Sequence, residues 1–378
     1  MFDFYMPANM IGGDGCVLKN AGIFRSLGAR ALLVTGKHAA QRSGALDDVT
    51  AALGQAGVAW KQYDGIGENP LLSSVEAAGN AAREFGADFI VGIGGGSALD
   101  GARAVCVYAK NSFNEAADIY RGFSLDPLPL VCIGTTAGTG SEADNISVLT
   151  NDATGEKKSV ASAYARYVFC DPRYTCSMSR RQTVSTALDA FCHCLESWFS
   201  TAATELNDAA APRGIELIFP WLERLARGEF VPDDRAMRQA LYYGSLWGGF
   251  SINRVGTGFP HPMGYLLTER GGIPHGVACA VFERAFLEQS MPACPEKRDR
   301  LLNITGGEAA LFDALEKLTQ NDITLSASLC KEIEARLRNA SNTRRTLGEF
   351  TSARGREIAE RLFLDARQSE NIRGGWLF

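Results

Sequence analysis

Short apolar runs alternate with helix-like stretches through the first half of the chain. Arg30 to Thr35 (RALLVT) fits a strand, Leu46 to Ala56 a helix, and Val58 to Tyr63 a second strand. In Ser73 to Phe85 the apolar positions Val75, Ala78, Ala82 and Phe85 fall on one helical stripe. Asp88 to Ile93 (DFIVGI) and Leu128 to Ile133 (LPLVCI) are apolar throughout, and a helix is predicted over Ala98 to Ala109. Strands without a polar face, separated by helices, predict a mostly parallel sheet covered on both sides. From about Thr183 the pattern changes to helical periodicity over Thr183 to Phe199, Asn207 to Ala226, Asp234 to Phe250 and Glu308 to Leu318. Strand signals nearly vanish there. The change lies between the Asp171-Pro172 turn and Met178 to Arg181, which predicts an α/β domain over 1–180 and an all-helical domain over 181–378. No Pro/Ser-rich linker separates them, so the two should pack together.

Composition changes this picture little. The length of 378 residues suits two domains, and 46% hydrophobic with 21% charged residues excludes a disordered or fibrous chain. A formal charge of −5 gives no support to a nucleic-acid or polybasic-membrane partner. Ten scattered cysteines without a CxxC pair fit reduced, buried thiols. Met1 to Met10 lacks a basic stretch followed by an apolar run, and no apolar stretch is long enough to span a bilayer, so the expected compartment is the cytoplasm.

Two loops and three histidines hold the candidate chemistry. Val91 to Asp100 (VGIGGGSALD) follows a strand and opens a helix, and Gly94, Gly95 and Gly96 allow close backbone approach to a ligand. Ser97 is a candidate helix cap with Asp100 three residues on, and the helix N-terminus suits a pyrophosphate. A plain glycine-rich turn fits the same residues. Gly92, Gly94 and Ser97 give GxGxxS rather than the Rossmann GxGxxG. Gly134 to Glu142 (GTTAGTGSE) is a second small, hydroxyl-rich loop after a strand. Two such loops at successive strand ends strengthen the case for a nucleotide crevice.

His193 lies four residues after Asp189 in a helical run, so both face one way. The pair suits either a divalent metal or an internal Asp–His hydrogen bond. His261 (GTGFPHPMG) and His275 (GGIPHGVAC) sit in Gly/Pro-flanked segments suited to helix ends or loops. Three histidines and one aspartate would suit Fe(II), Zn(II), Co or Mn. Cys192 and Cys194 flank His193 but cannot share an ion with it, and are expected in the helical core. His38 is expected to be exposed in a loop.

These stretches together resemble the iron-containing (group III) alcohol dehydrogenase family. GGGSALDGARAV is similar to its GGGSxxDxAKA stretch, TTAGTGSEA to its second loop, and DAFCHCLES to its DALxHxxE metal helix. GFPHPMGYLLT and IPHGVACAV resemble the segments bearing its other two metal histidines, 14 residues apart. The resemblance implies a dehydroquinate synthase-like fold and a homodimer or larger homo-oligomer. It implies Asp189, His193, His261 and His275 as ligands of Fe(2+), with Zn(2+) the alternative. It also implies Gly95, Gly96 and Ser97, with Gly94 and Asp100 of the same loop, at the pyrophosphate. Thr135, Thr136 and Thr139 would contact the adenosine side and phosphates, Asn69 (GENP) the adenine and ribose, and Lys157, or its neighbour Lys158, the nicotinamide ribose.

Three departures from the family pattern matter. Gly36 stands where NAD-preferring relatives often have aspartate, and Lys37 adds positive charge, so NADP is expected over NAD. Tyr265 replaces a histidine proposed as a proton relay, leaving the phenol, water or a cofactor hydroxyl. Asp144 stands where threonine is usual beside the nicotinamide. The expected reaction is reversible, metal-dependent hydride transfer between a primary alcohol (or diol) and its aldehyde. The alternatives are a dehydroquinate synthase-type lyase, a metal-independent maleylacetate-type reductase and a non-catalytic nucleotide-binding relative. Trp247, Phe250 and Phe259 are candidates for an apolar substrate pocket or for core packing.

Overall fold

The computed structural model describes residues 4–364 except 254, 321 and 322. Residues 1–3 and 365–378, the outer ends of the two expected domains, lie outside the described residues. Six strands form one parallel sheet: β1 (Asn9–Gly12), β2 (Arg30–Thr35), β3 (Ala59–Tyr63), β4 (Phe89–Gly94), β5 (Leu130–Gly134) and β8 (Tyr167–Cys170), in the order β1-β8-β5-β4-β2-β3. The apolar character of β2, β4 and β5 has its cause in this order, because all three are central and buried along nearly their whole length.

Alternate residues along each strand serve two cores. Ala31, Leu33, Phe89, Val91, Val131 and Ile133 face one side, with Phe24, Val49 and Leu53 of the covering helices. Leu32, Val34, Ile90, Leu130 and Cys132 face the other. There they join a core that continues through Met178, Val184 and Leu188 into the helical half. That shared core is why the halves pack without a linker.

The expected helices are present as Ala45–Gln55, Leu72–Phe85, Gly96–Lys110, Arg180–Trp198, Glu205–Ala226, Arg235–Ile252 and Glu308–Leu318. The strand at each extreme of the chain's first half is new. β1 and β8 have four residues each, too few for a periodic signal. The antiparallel pair β6 (Ile146–Thr150) and β7 (Lys157–Ala161) is also new; β7 reads KKSVA and is mostly exposed.

One local expectation fails. The Gly96–Lys110 helix begins one residue before Ser97, its N-cap is Gly95, and no side chain caps it. Asp100 does not close a capping box. Its carboxylate accepts from Ser141 Oγ (3.1 Å), Arg103 Nη1 (3.0 Å) and the Val148 amide (3.0 Å). The glycine cap leaves the helix N-terminus bare of side chains.

The second loop and the Arg235–Ile252 helix touch backbone to backbone. A Cβ on Gly249 would lie 2.9 Å from the carbonyl carbon of Gly140, and Gly140 itself has φ +58°. Only glycines allow this approach, which ties the loop after β5 to the helical half. Among the described residues no helix is long and apolar enough to cross a membrane.

Candidate functional site

Asp189 and His193 lie on the Arg180–Trp198 helix, which opens with a Ser179/Gln182 capping box and is buried on nearly all sides. His261 is the second residue of the Pro260–Gly271 helix, and His275 is the first of the His275–Ala280 helix. Proline precedes each, fixing φ at the helix start where no amide partner is needed. Both histidines are thus presented at helix N-termini.

The three imidazoles converge on one oxygen. Asp189 Oδ1 is 3.7 Å from His193 Nε2, 3.6 Å from His261 Nε2 and 3.7 Å from His275 Nε2. Each distance is too long for a hydrogen bond, so the internal Asp–His bond is not formed. Asp189 Oδ1, His261 Nε2 and His193 Nδ1 are buried without any partner. Unpaired polar atoms of this kind are rare in dry interiors. A divalent ion among them would satisfy Asp189 Oδ1 and His261 Nε2 together, and an N3O set suits iron or zinc. The residues therefore fit a metal.

Cys279 complicates the fourth position. Its sulfur, with donor atoms of Asp189, His261 and His275, falls in one group within 4.8 Å. Burial pushes its thiol pKa well above the ordinary range, so it stays protonated at neutral pH. Its sulfur lies 3.8 Å from the His275 ring nitrogens. His193, a neutral imidazole whose pKa burial lowers, is the better ligand.

Electrostatics support the same arrangement. Burial opposes the charge on Asp189, but His193, His261 and His275 together bring its pKa below the usual carboxylate range. Burial lowers the His275 pKa to about 4, against the pull of Asp189 and with help from His261, His193 and Lys157. His261 differs. Burial works against its charge, yet Glu196 and Asp189 raise its pKa to about 10. Its Nδ1 lies 2.6 Å from Glu196 Oε1, which assigns the Nδ1 proton to that bond and turns Nε2 toward Asp189. Glu196 went unassigned in the sequence reading. Its spacing of three from His193 and seven from Asp189 puts it on their helix face, and that spacing was the available signal.

Gly276 sets the approach of the His275 helix. A Cβ there would run into the Ser185 carbonyl oxygen and stand 2.7 Å from the Asp189 amide. Gly276→Ala is expected to lose about 1–3 kcal/mol of stability, the usual cost of overpacking. It should also bind zinc(II) more weakly, because His275 must move off Asp189. Urea unfolding and chelator competition would measure both, and an unchanged zinc affinity would refute the coupling.

The two loops meet beside this cluster. A Cβ on Gly95 would lie 3.1 Å from Thr136, and one on Gly96 2.9 Å from Thr139. Thr135 N donates to Gly94 O, and Thr135 Oγ1 is buried without a partner. Gly36 and Lys37 follow β2 directly, Gly36 half-buried and Lys37 exposed. Asn69 is the one non-glycine with positive φ among the described residues, at 53°. Strain of that kind concentrates at functional positions. Lys157 lies near enough to His275 to depress its pKa, whereas Lys158 sits over the Tyr120 ring at 5.0 Å.

Asp100 and Asp144 gather around one arginine. The fully buried Arg103 guanidinium binds Asp100, Ser141 and the Asp144 backbone oxygen (3.2 Å), with Asp144 Oδ1 at 3.6 Å. Asp144 also accepts from the Ile146 amide. Burial raises the Asp100 pKa to about 7 against the opposing charge of Arg103. Tyr265 stacks flat on His275, ring centroids 5.1 Å apart, and keeps 38% exposure. Phe259 packs against Phe350 in the core, and Phe250 against Trp247, so Phe259 is core rather than pocket. His38 is exposed, as expected, and Cys192 and Cys194 are buried.

The chain is similar to known proteins along most of its length. The profile "Iron-containing alcohol dehydrogenase" matches residues 7–172, and "Fe-containing alcohol dehydrogenase family, C-terminal" matches 183–342. A sulfoacetaldehyde reductase of Bilophila wadsworthia is 34% identical over 81% of this chain and 79% of its own. A 1,3-propanediol dehydrogenase of Klebsiella pneumoniae is 31% identical over 84% and 83%. The crystal structure of an iron-containing alcohol dehydrogenase from Thermotoga maritima superposes with a TM-score of 0.87 at 33% identity, covering 96% of this chain and 99% of that one.

Proposed function

The chain belongs to the iron-containing alcohol dehydrogenase family, and we propose that Asp189, His193, His261 and His275 hold its metal while the loops after β4 and β5 hold its nicotinamide dinucleotide. The enzyme is a metal-dependent oxidoreductase acting reversibly between an alcohol and its aldehyde. The observation that supports the ligand set most strongly is the group of buried, unpartnered donor atoms around Asp189 Oδ1. The division of labour follows the change of architecture near residue 180, with cofactor contacts from 1–180 and metal ligands from 181–378.

The protein's own groups do three things in this reading. Asp189 and the three imidazoles would present one negative and three neutral donors to a cation once the ion displaces the His261 Nε2 proton, with Fe(2+) favoured and Zn(2+) the alternative. Such an ion supplies Lewis acidity toward the substrate oxygen. A nicotinamide dinucleotide held by these loops would supply the hydride chemistry. Gly94, Gly95, Gly96 and Ser97 present a helix N-terminus to the pyrophosphate, with Thr135, Thr136 and Thr139 opposite. Asn69 would serve the adenine ribose and Lys157 the nicotinamide ribose. Tyr265 is a phenol at neutral pH and offers a hydrogen-bond donor over His275 rather than a phenolate relay. Asp100 and Asp144 act through Arg103, holding the second loop against the first helix turn.

NADP is the proposed preference, because Gly36 leaves room for a 2′-phosphate and Lys37 adds positive charge beside it. Higher kcat/KM with NADPH than with NADH is the expected result, and a clear NADH preference would refute this point. Gly36→Asp should shift the ratio toward NADH. A Cβ there would stand 3.2 Å from the Ile66 carbonyl, so that segment must yield slightly. The ten free cysteines, eight of them buried, fit a reducing cytoplasmic setting. Among the described residues β1 and β3 are the outermost strands of the sheet, and an edge strand can pair with a second copy in the homo-oligomer this reading includes. Metal analysis of anaerobically prepared protein, coupled to an NADPH-linked aldehyde and alcohol panel, tests the whole reading. Protein that reduces aldehydes at full rate after metal removal would overturn it.

A further inference from the structure

Behind the ligand cluster lies a second buried group that the reaction does not use. Glu196 and Glu283 are both wholly buried; Glu196 is on the Arg180–Trp198 helix and Glu283 opens the Glu283–Ser290 helix. Glu196 Oε1 accepts from His261 Nδ1, but Glu196 Oε2 and both oxygens of Glu283 are left without a donor, each facing other acceptors. Atoms of Cys192, Glu196 and Glu283 lie within 4.8 Å of one another. Among the described residues neither carboxyl has an ion pair with lysine or arginine. Two adjacent carboxylates in a dry core cannot both stay ionised, because each loses hydration and repels the other. One proton between them removes the conflict.

We propose that Glu283 is a positioning residue, a neutral carboxylic acid whose proton is donated to Glu196 Oε2. Glu196 then keeps a single negative charge, fixed in the orientation that accepts His261 Nδ1–H. His261 Nε2 is thereby held toward Asp189. The direction of Glu283's own titration agrees: burial first, then the charge of Glu196 and a bond to it, push its pKa well above the ordinary range. Glu283 touches neither substrate nor metal. It acts through Glu196 and His261, as outer partners of metal-bound imidazoles do.

The inference rests on the metal reading above, and zinc(II) titration against a competing chelator separates the two. In the full-length protein Glu283→Leu should weaken zinc affinity by about 10–100-fold. Glu283→Gln, whose amide can donate to the same oxygen, should restore affinity close to the parent's. In the infrared, the parent holoenzyme should show a protonated-carboxyl C=O band at neutral pH that is missing in Glu283→Gln. Absence of that band, equal loss in the Gln and Leu variants, or no loss in either would overturn the assignment. A second zinc equivalent that disappears in Glu283→Gln would also overturn it, by making Glu283 a ligand. If Glu283→Leu does not fold, the band and the Gln variant still decide. Zinc binding that survives in Asp189→Ala would sink the metal reading itself. Loss in Asp189→Ala with no change in Glu283→Leu would sink only the positioning role.

Discussion

The His261→Ala protein is expected to fold, to carry little metal and to lose aldehyde reduction by at least about a thousandfold in kcat/KM. Lewis-acid stabilisation is worth several kcal/mol, and each 1.4 kcal/mol is a factor of about ten. His261 should be the most sensitive of the three histidines because it faces two carboxylates. Its Nε2 points at Asp189 and its Nδ1 is held by Glu196. Alanine leaves Glu196 buried without its imidazole, so a lower Tm is part of the expectation. Circular dichroism, metal content per chain and NADPH oxidation would be read on the same preparation. Metal content and activity at parental levels would refute a ligand role for His261.

Arg103→Met is expected to destabilise the protein by about 3–5 kcal/mol, the usual result of removing one partner from a buried ion cluster. Methionine nearly conserves the volume but removes the guanidinium and its bonds to Asp100, Ser141 and Asp144, leaving the carboxylates only the Ser141 hydroxyl and the Val148 and Ile146 amides. Two carboxyls then remain with no cation beside them. The pH dependence has a definite sign. Asp100 in the folded protein has its pKa raised to about 7 by burial, above the ordinary value of 3.8, so the folded state binds the extra proton. Its contribution to stability is present at low pH and is lost as pH rises from about 4 through 7. Without Arg103 the folded pKa rises further, and the loss should continue above 7. Urea unfolding at pH 6 and pH 8 would measure it. A deficit under about 1 kcal/mol at both, or one larger at pH 6, would contradict the account.

Much of this architecture is legible in the chain. β2, β4 and β5 announce themselves because central parallel strands have no polar face, and the long helices because each buries one stripe. The edge elements do not. β1 and β8 are too short to show a period, and β7 is too exposed to show an apolar face. The candidate site divides the same way. Asp189 and His193 stand a helical turn apart, and His261 and His275 stand beside prolines, so each is noticeable in its own segment. Ser97 has the chemistry of a cap, but the helix starts at Gly96, two residues before the predicted Ala98, and Gly95 takes the cap position. Asp100 and Asp144 stand out as candidate cofactor contacts, and only the fold shows that both also pair with a buried arginine.

What the sequence determined by itself is local: the alternation of strands and helices, the glycine loops, the residue types able to bind a cation, and the family resemblance carried by ordered motifs. Only the tertiary structure decided which groups meet. Three helices bring His193, His261 and His275 to within 3.6–3.7 Å of one oxygen of Asp189. It also decided which groups stand behind them, Glu196 and then Glu283, 87 residues apart in the chain. Backbone periodicity is a short-range property and can be read along the chain. The state of a buried charge depends on every dipole, charge and void around it, and those neighbours come from distant segments.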